Sequence, residues 1–340
     1  MRILHVTESL GGGVTTAINS YVSNSRQFKH FLLASARDSD CTGEENFSGF
    51  ENIKLVPRKL VSLFFLKSLV KEVEPDIIHV HSSYAGLIFR VLFNKKVIPV
   101  VYTPHGFSFL RDDHWLAKKI YYFVENILSY RTSVVAGCSK NEADIALHFS
   151  SGVKVHELVN VCESIDVIVK STRRDDCLTV GMVGRIAKQK DYFFFAELAQ
   201  KMGKICRFKW IGGGDERSVN VLEAAGVEVT GWIPRKEVLE HLVSLDVYFH
   251  SAAWDGFPMS VLEAVELGRP VVLREIGPFT AEGLNTVRGI DEAYKEISSL
   301  VAGDEDAWQR AKLNTEKIRG YHTQENLSKA LHDLYSQFSK

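Results

Sequence analysis

Two carboxylates, Asp255 and Glu263, stand eight residues apart in the stretch Ser251-Ala252-Ala253-Trp254-Asp255-Gly256-Phe257-Pro258-Met259-Ser260-Val261-Leu262-Glu263-Ala264. Gly256-Phe257 reads as a turn and the residues after it as a helix start. The first acid then sits at the turn and the second one or two helical turns further on. An ionised carboxylate only accepts hydrogen bonds, so one acid can face the hydroxyls of a sugar and the other those of a ribose. For Glu263 alone, an exposed helix position is the competing reading. Upstream, Gly184-Arg185-Ile186-Ala187-Lys188-Gln189-Lys190-Asp191 follows an apolar run at 178–183. Two cations five residues apart beyond a strand-end glycine can reach one diphosphate from two sides. A solvated basic loop is the alternative.

Two glycine runs also follow apolar strands. Gly11-Gly12-Gly13 precedes a helix, where a bare backbone can approach a ligand and the helix N-terminus favours an anion. A structural tight turn is the competing reading, and a dinucleotide loop is disfavoured: G-G-G-V-T-T lacks the third glycine of G-x-G-x-x-G, and the second strand ends at Ala34 without a ribose-binding acid. Ile211-Gly212-Gly213-Gly214-Asp215 repeats the pattern and either turns tightly or faces a nucleotide. Asp38-Ser39-Asp40 and Asp304-Glu305-Asp306 match the D-x-D string of metal-dependent transferases, but neither lies near the cation or carboxylate blocks, and no metal site is expected. The cysteines Cys41, Cys138, Cys162, Cys177 and Cys206 form no C-x-x-C pair and fit neither a disulfide framework nor zinc.

The elements that position these residues alternate between short aliphatic runs and amphipathic stretches, as parallel sheets with helical crossovers do. Strands are expected at 3–6, 31–34, 53–56, 77–81, 98–103 and 133–137, with helices at 14–23, 60–73, 114–130 and 140–149 among others. Ser171-Thr172-Arg173-Arg174-Asp175-Asp176 interrupts the pattern. It then restarts with strands at 178–183, 208–211, 227–230, 247–250 and 270–273. A chain of 340 residues exceeds what one core usually organises. The expected architecture is therefore two α/β Rossmann-like domains facing across a cleft, 1–170 and 171–320, with a helix at 321–340 that docks on either domain. Such sheets bind ligands at their strand carboxyl ends.

These segments resemble the large retaining glycosyltransferase family with the GT-B fold and the E-x7-E motif, the group 1 or family 4 glycosyltransferases. The resemblance implies that Arg185 and Lys190 hold the donor diphosphate. It also implies that Glu263 holds the ribose hydroxyls and Asp255 the donor sugar, with aspartate standing where the family usually has glutamate. Thr103-Pro104-His105-Gly106-Phe107 matches the segment whose histidine meets the donor sugar, and Gly12 and Gly13 match the glycine-rich loop that approaches diphosphate and acceptor. Gly184, Gly213, Trp232, Gly256, Phe257, Pro258, Met259 and Ser260 complete the implied donor-binding set. His79-Val80-His81, Ser139-Lys140, Gly231-Trp232 and Glu282 extend the resemblance over nearly the whole chain. It implies sugar transfer from a nucleoside-diphosphate sugar, a UDP-sugar favoured over a GDP-sugar, to a hydroxyl of a glycan or lipid-linked acceptor in bacterial surface polysaccharide or glycolipid synthesis. Configuration would be retained without a metal or other cofactor, by same-face attack in which the leaving phosphate accepts the acceptor's proton.

A nucleotide-sugar epimerase, a phosphorylase and a non-catalytic two-domain sugar-binding protein remain as alternatives on the same architecture. The formal charge of −1 gives no global reason to expect a nucleic-acid partner. Arg2-Ile3-Leu4-His5-Val6 reads as a strand and not as the head of a signal peptide, so a cytoplasmic location is expected. Between Arg58 and Arg131, eleven Lys or Arg against six Asp or Glu are interspersed with Phe64, Phe65, Trp115, Tyr121, Tyr122 and Phe123. That composition leaves open a peripheral contact with anionic lipid at the inner face of the cell membrane, or ordinary amphipathic helices packed on a sheet.

Overall fold

The computed structural model describes the chain except residues 9, 11, 36–46, 57–62, 166–176 and 340, and except the side chains of 63–65. The chain divides into two compact units, Met1–Val161 with Thr323–Lys340, and Cys162–His322. The stretch 171–176, expected to carry the boundary, lies outside the described residues.

The first unit is built on strands β1 (Arg2–Thr7), β2 (Lys29–Ala34), β3 (Asn52–Leu55), β4 (Ile77–His81), β5 (Val100–Thr103), β6 (Val134–Gly137) and β7 (Lys154–Glu157). They form a parallel sheet in the order β3-β2-β1-β4-β5-β6-β7. Both faces are covered, so alternate residues of each strand enter different cores. Leu4, Val6, Ile78, Val80 and Tyr102 belong to one core. Ile3, Ile77, Val101 and Val134 belong to the other, together with Tyr21 of the helix Gly12–Ser23 and Leu327, Leu331, Leu334 and Tyr335 of the helix Gln324–Ser336. The last helix is therefore an integral layer of the first unit.

The second unit contains β8 (Thr179–Val183), β9 (Arg207–Ile211), β10 (Val227–Val229), β11 (Val247–His250), β12 (Val271–Arg274) and β13 (Thr286–Val287), parallel in the order β10-β9-β8-β11-β12-β13. Its helices include Tyr192–Met202, Arg235–Val243, Met259–Glu266 and Glu305–Tyr321. The strands β7 and β13 and the helix Ser83–Leu92 are additions to the elements expected by name. β7 reads Lys-Val-His-Glu and β13 has two residues, so neither offers the aliphatic run that marks a buried strand.

Candidate active site

In the second sheet β8 pairs with β9 on one side and β11 on the other, so consecutive connections leave in opposite directions. Outside the carboxyl ends at such a switch point a crevice opens between two loops. Here they are 184–191 after β8 and 251–258 after β11. The Ala253 amide donates to Gln189 O at 2.9 Å, and Ser251 Oγ donates to Lys190 O at 2.8 Å. Arg274, at the end of β12, reaches both loops by donating to the Asp191 carboxylate and to Ser251 O. Its guanidinium lies 4.2 Å from the centre of the Phe194 ring.

These bonds bring the predicted cation and carboxylate together. Lys190 Nζ donates to Asp255 Oδ2 at 2.7 Å, with both side chains mostly shielded from water. The other oxygen of Asp255 accepts the Gly256 amide at 2.9 Å. Arg185, by contrast, is exposed and makes no hydrogen bond or ion pair among the described residues. Beneath them His250 is fully buried, and its Nε2 lies 3.9 Å from Asp255 Oδ2 without a hydrogen-bond partner. Burial, then the nearby Lys190 charge, push the His250 pKa well down. Its Nδ1 is 3.1 Å from Tyr248 Oη, which donates to Ser260 Oγ at 2.8 Å.

The helix Met259–Glu266 starts at Pro258 without a side-chain cap. Val261 N reaches back to Pro258 O, while the Met259 and Ser260 amides have no partner among the described residues. Free first-turn amides at the positive end of a helix form a ready anion site. Phe257 departs from the donor-contacting role expected of it: its ring is buried, edge-on to Phe279 and against His322, so it anchors the turn from within. Only its backbone can meet a ligand.

Glu263 is buried, which overturns the exposed-helix alternative. Its Oε1 accepts from Arg235 Nη1 at 2.7 Å, from a side chain that is half exposed. Gly184 and Gly212 hold the loops after β8 and β9 back to back. A Cβ on Gly212, whose φ is +136°, would sit 2.3 Å from Gly184 O. Gly213 lies under the exposed Trp232 indole, where a Cβ would fall 2.7 Å from Trp232 Cδ1. Of the D-x-D strings, Asp304 caps the helix Glu305–Tyr321 by accepting from Asp306 N, while 38–40 lie outside the described residues. Sequence reasoning did not name Arg235, Arg274 or His250. Arg274 and His250 each close an otherwise buried, apolar strand with a polar side chain, a signal that could have found them.

His105, Gly12 and Gly13 belong to the first unit. Gly12 and Gly13 are exposed at the start of the helix after β1. His105 follows β5 with φ +50°, an uncommon conformation for a residue with a side chain. It is held there by Glu142, another group not anticipated, whose Oε1 accepts the Gly106 amide and whose Oε2 accepts Cys138 N at 2.9 Å. Burial lowers the His105 pKa to about 4. The rings of His5, His79 and His81 lie within ligand reach of one another. However, each of their six ring nitrogens already meets His30, His81, His5, His105, Tyr335 or Thr103 at hydrogen-bond distance, which leaves no lone pair directed at a metal.

Residues 177–314 match the family model described as glycosyl transferases group 1, and residues 25–156 match that of glycosyltransferase family 4. An uncharacterized 41.2 kDa protein of the cps region of Klebsiella pneumoniae is 30% identical over 328 residues, covering 88% of each chain. The UDP-Gal:alpha-D-GlcNAc-diphosphoundecaprenol alpha-1,3-galactosyltransferase of Escherichia coli is 26% identical over 277 residues, covering 74% of this chain and 70% of that one. The crystal structure of Anabaena HepE in complex with UDP and glucose superposes with a TM-score of 0.77 at 16% identity, covering 99% of this chain and all of that one. The paired Rossmann-like units, the two family matches and the Klebsiella relative together place this chain among the group 1 glycosyltransferases of the GT-B fold.

Proposed function

We propose that the protein transfers a sugar from a nucleoside-diphosphate sugar, a UDP-sugar in preference to a GDP-sugar, to a hydroxyl of a lipid-linked or glycan acceptor during bacterial surface polysaccharide synthesis. The observation that carries this reading is that the loops after β8 and β11, joined by Lys190 and Asp255, carry Arg185 and lead into the Met259 and Ser260 amides, none of which has a partner among the described residues. Negative charge grows on a departing diphosphate, and fixed cations and helix-start amides stabilise it where it forms. No metal is needed for that step. Asp255 reads hydroxyls of the donor sugar, Glu263 those of the ribose, and Trp232 with Gly213 borders the nucleotide. Configuration is retained by same-face attack, with the leaving phosphate taking the acceptor's proton. The UDP preference is supported by the UDP-Gal donor in the E. coli relative's name and by UDP in the Anabaena complex.

Isothermal titration with UDP and GDP tests the reading. A folded Arg185→Ala, Lys190→Ala double variant should lose about two orders of magnitude or more in affinity, since each charge-assisted contact contributes roughly 1.5–3 kcal/mol. Unchanged affinity would sink the assignment. Product analysis with and without acceptor separates transfer from epimerisation or phosphorolysis.

A specific observation also supports work at the inner membrane surface. The helix Trp115–Ser129 exposes Trp115, Leu116, Ile120, Phe123 and Ile127, while its acid, Glu125, is buried against Arg90. Lys118 and Lys119 accompany the apolar side chains, as on helices that lie in anionic interfaces. No helix among the described residues is long and apolar enough to cross a membrane. Co-sedimentation with phosphatidylglycerol vesicles should be lost in Trp115→Ser, Phe123→Ser, and equal pelleting of this variant and the parent would refute the contact.

A further inference from the structure

We propose that a chain of buried histidines, His30, His5 and His81, fixes the ring tautomer of His105 and presents its Nδ1 as a hydrogen-bond acceptor for a ligand hydroxyl. The argument starts at the far end of the chain. Ser25 Oγ donates its proton to Tyr21 O at 2.6 Å, so toward His30 Nε2, 3.1 Å away, it can only accept. Ser25 O, 3.0 Å from the same nitrogen, can only accept as well. His30 Nε2 therefore carries the hydrogen.

A neutral imidazole has one N–H, and burial lowers the pKa of all four rings, so each is neutral near pH 7. His30 Nδ1 must then accept, and its partner at 3.0 Å, His5 Nε2, must donate. The same step repeats from His81 Nε2 to His5 Nδ1 at 3.0 Å, and from His105 Nε2 to His81 Nδ1 at 3.1 Å. His105 Nδ1 is left with a lone pair and no protein partner among the described residues. Reversing any one ring would set lone pair against lone pair or N–H against N–H in a buried site, leaving polar groups unsatisfied.

The sheet supplies the geometry. His5 pairs in register with His79 across β1 and β4, His81 lies two residues on along the same face, and His30 comes from β2 beside them. His79 packs tilted against His81 with ring centres 4.3 Å apart, but bonds sideways to Tyr335 and Thr103 and stays outside the chain. Because the chain ends on a backbone carbonyl, it cannot pass a proton onward. It sets direction, which makes His5, His30 and His81 positioning residues. A neutral His105 offering only a lone pair recognises an O–H or N–H donor and not a phosphate. That the donor is a sugar hydroxyl rests on the transferase reading above.

The test is long-range ¹H–¹⁵N correlation NMR on ligand-free protein with ¹⁵N-labelled histidine, so the ring states are read whether or not the protein turns over a sugar nucleotide. His5, His30, His81 and His105 should all appear as Nε2–H tautomers. In His30→Phe, which keeps a ring but offers no acceptor, His105 should lose its single-tautomer signature. Its kcat should fall by roughly tenfold, the worth of one hydrogen bond, with UDP affinity unchanged. His30→Asn, whose side-chain oxygen can accept from His5, should restore both. An Nδ1–H tautomer at His105 in the parent protein overturns the proposal, as does an unchanged His105 spectrum in folded His30→Phe. If that variant does not fold, the parent spectrum alone decides.

Discussion

If Lys190 binds the donor diphosphate as proposed, the Lys190–Asp255 pair sets an internal competitor against that ligand in the free protein. At 2.7 Å, with the two side chains 16% and 15% exposed, the pair is more shielded than a surface bridge but not dry. It should contribute about 1–2 kcal/mol, between those two cases. If Lys190 turns to the diphosphate on binding, that amount is lost from the affinity of the parent protein. Asp255→Ala removes the competitor together with a negative charge facing the phosphates. UDP should then bind more tightly, by roughly five- to thirtyfold, while turnover of the intact donor collapses because its sugar loses a partner. Lys190→Ala should do the opposite to UDP, weakening it by about one to two orders of magnitude. The double variant should resemble Lys190→Ala more closely than the sum of the two single changes, since they share one interaction. Isothermal titration of all four proteins with UDP, and with the intact donor, measures each term. If folded Asp255→Ala binds UDP no more tightly than the parent, the competition does not exist and Lys190 keeps its carboxylate when the ligand is bound.

Other expectations follow from the same geometry. Arg235→Ala leaves Glu263 as a buried carboxylate without its cation and should lower stability by about 1–3 kcal/mol in urea unfolding, whereas an unchanged midpoint would show that the pair carries no weight. Gly212→Ala places a Cβ against the Gly184 carbonyl at a positive φ and should cost at least about 1–3 kcal/mol, so a melting temperature equal to the parent's would contradict the back-to-back loops. His5, His30, His79, His81 and His105 all have pKa values lowered by burial, so below about pH 6.5 the unfolded chain binds protons that the folded one refuses. Stability should therefore be fully present above that pH and fall as pH drops toward 4, by up to about 1.4 kcal/mol per pH unit for each histidine, and a flat acid limb in the parent protein would refute their neutrality. Turnover should survive excess EDTA if the cations and helix-start amides alone manage the diphosphate charge. Complete loss restored by magnesium or manganese would refute that.

The linear pattern was enough for the two parallel sheets, because a doubly covered strand must be aliphatic almost throughout and such runs are visible without partners. It also made Arg185, Lys190, Asp255 and Glu263 candidates, since residue type and local spacing around a turn are properties of the chain itself, and the fold brings Lys190 to Asp255. What lay beyond it were pairings made across the sheet. Arg235 meets Glu263 from a different helix, and Arg274 reaches the loops after β8 and β11 from the end of β12. Phe257 turned inward because the core beside Phe279 accepts its ring, which no spacing rule states. The histidines show the division most plainly. His5, His30, His81 and His105 are scattered over about a hundred residues, and each by itself reads as an ordinary strand or loop position. Strand order and register set them in one line, and only then does a single serine carbonyl decide which nitrogen of the last ring is left bare.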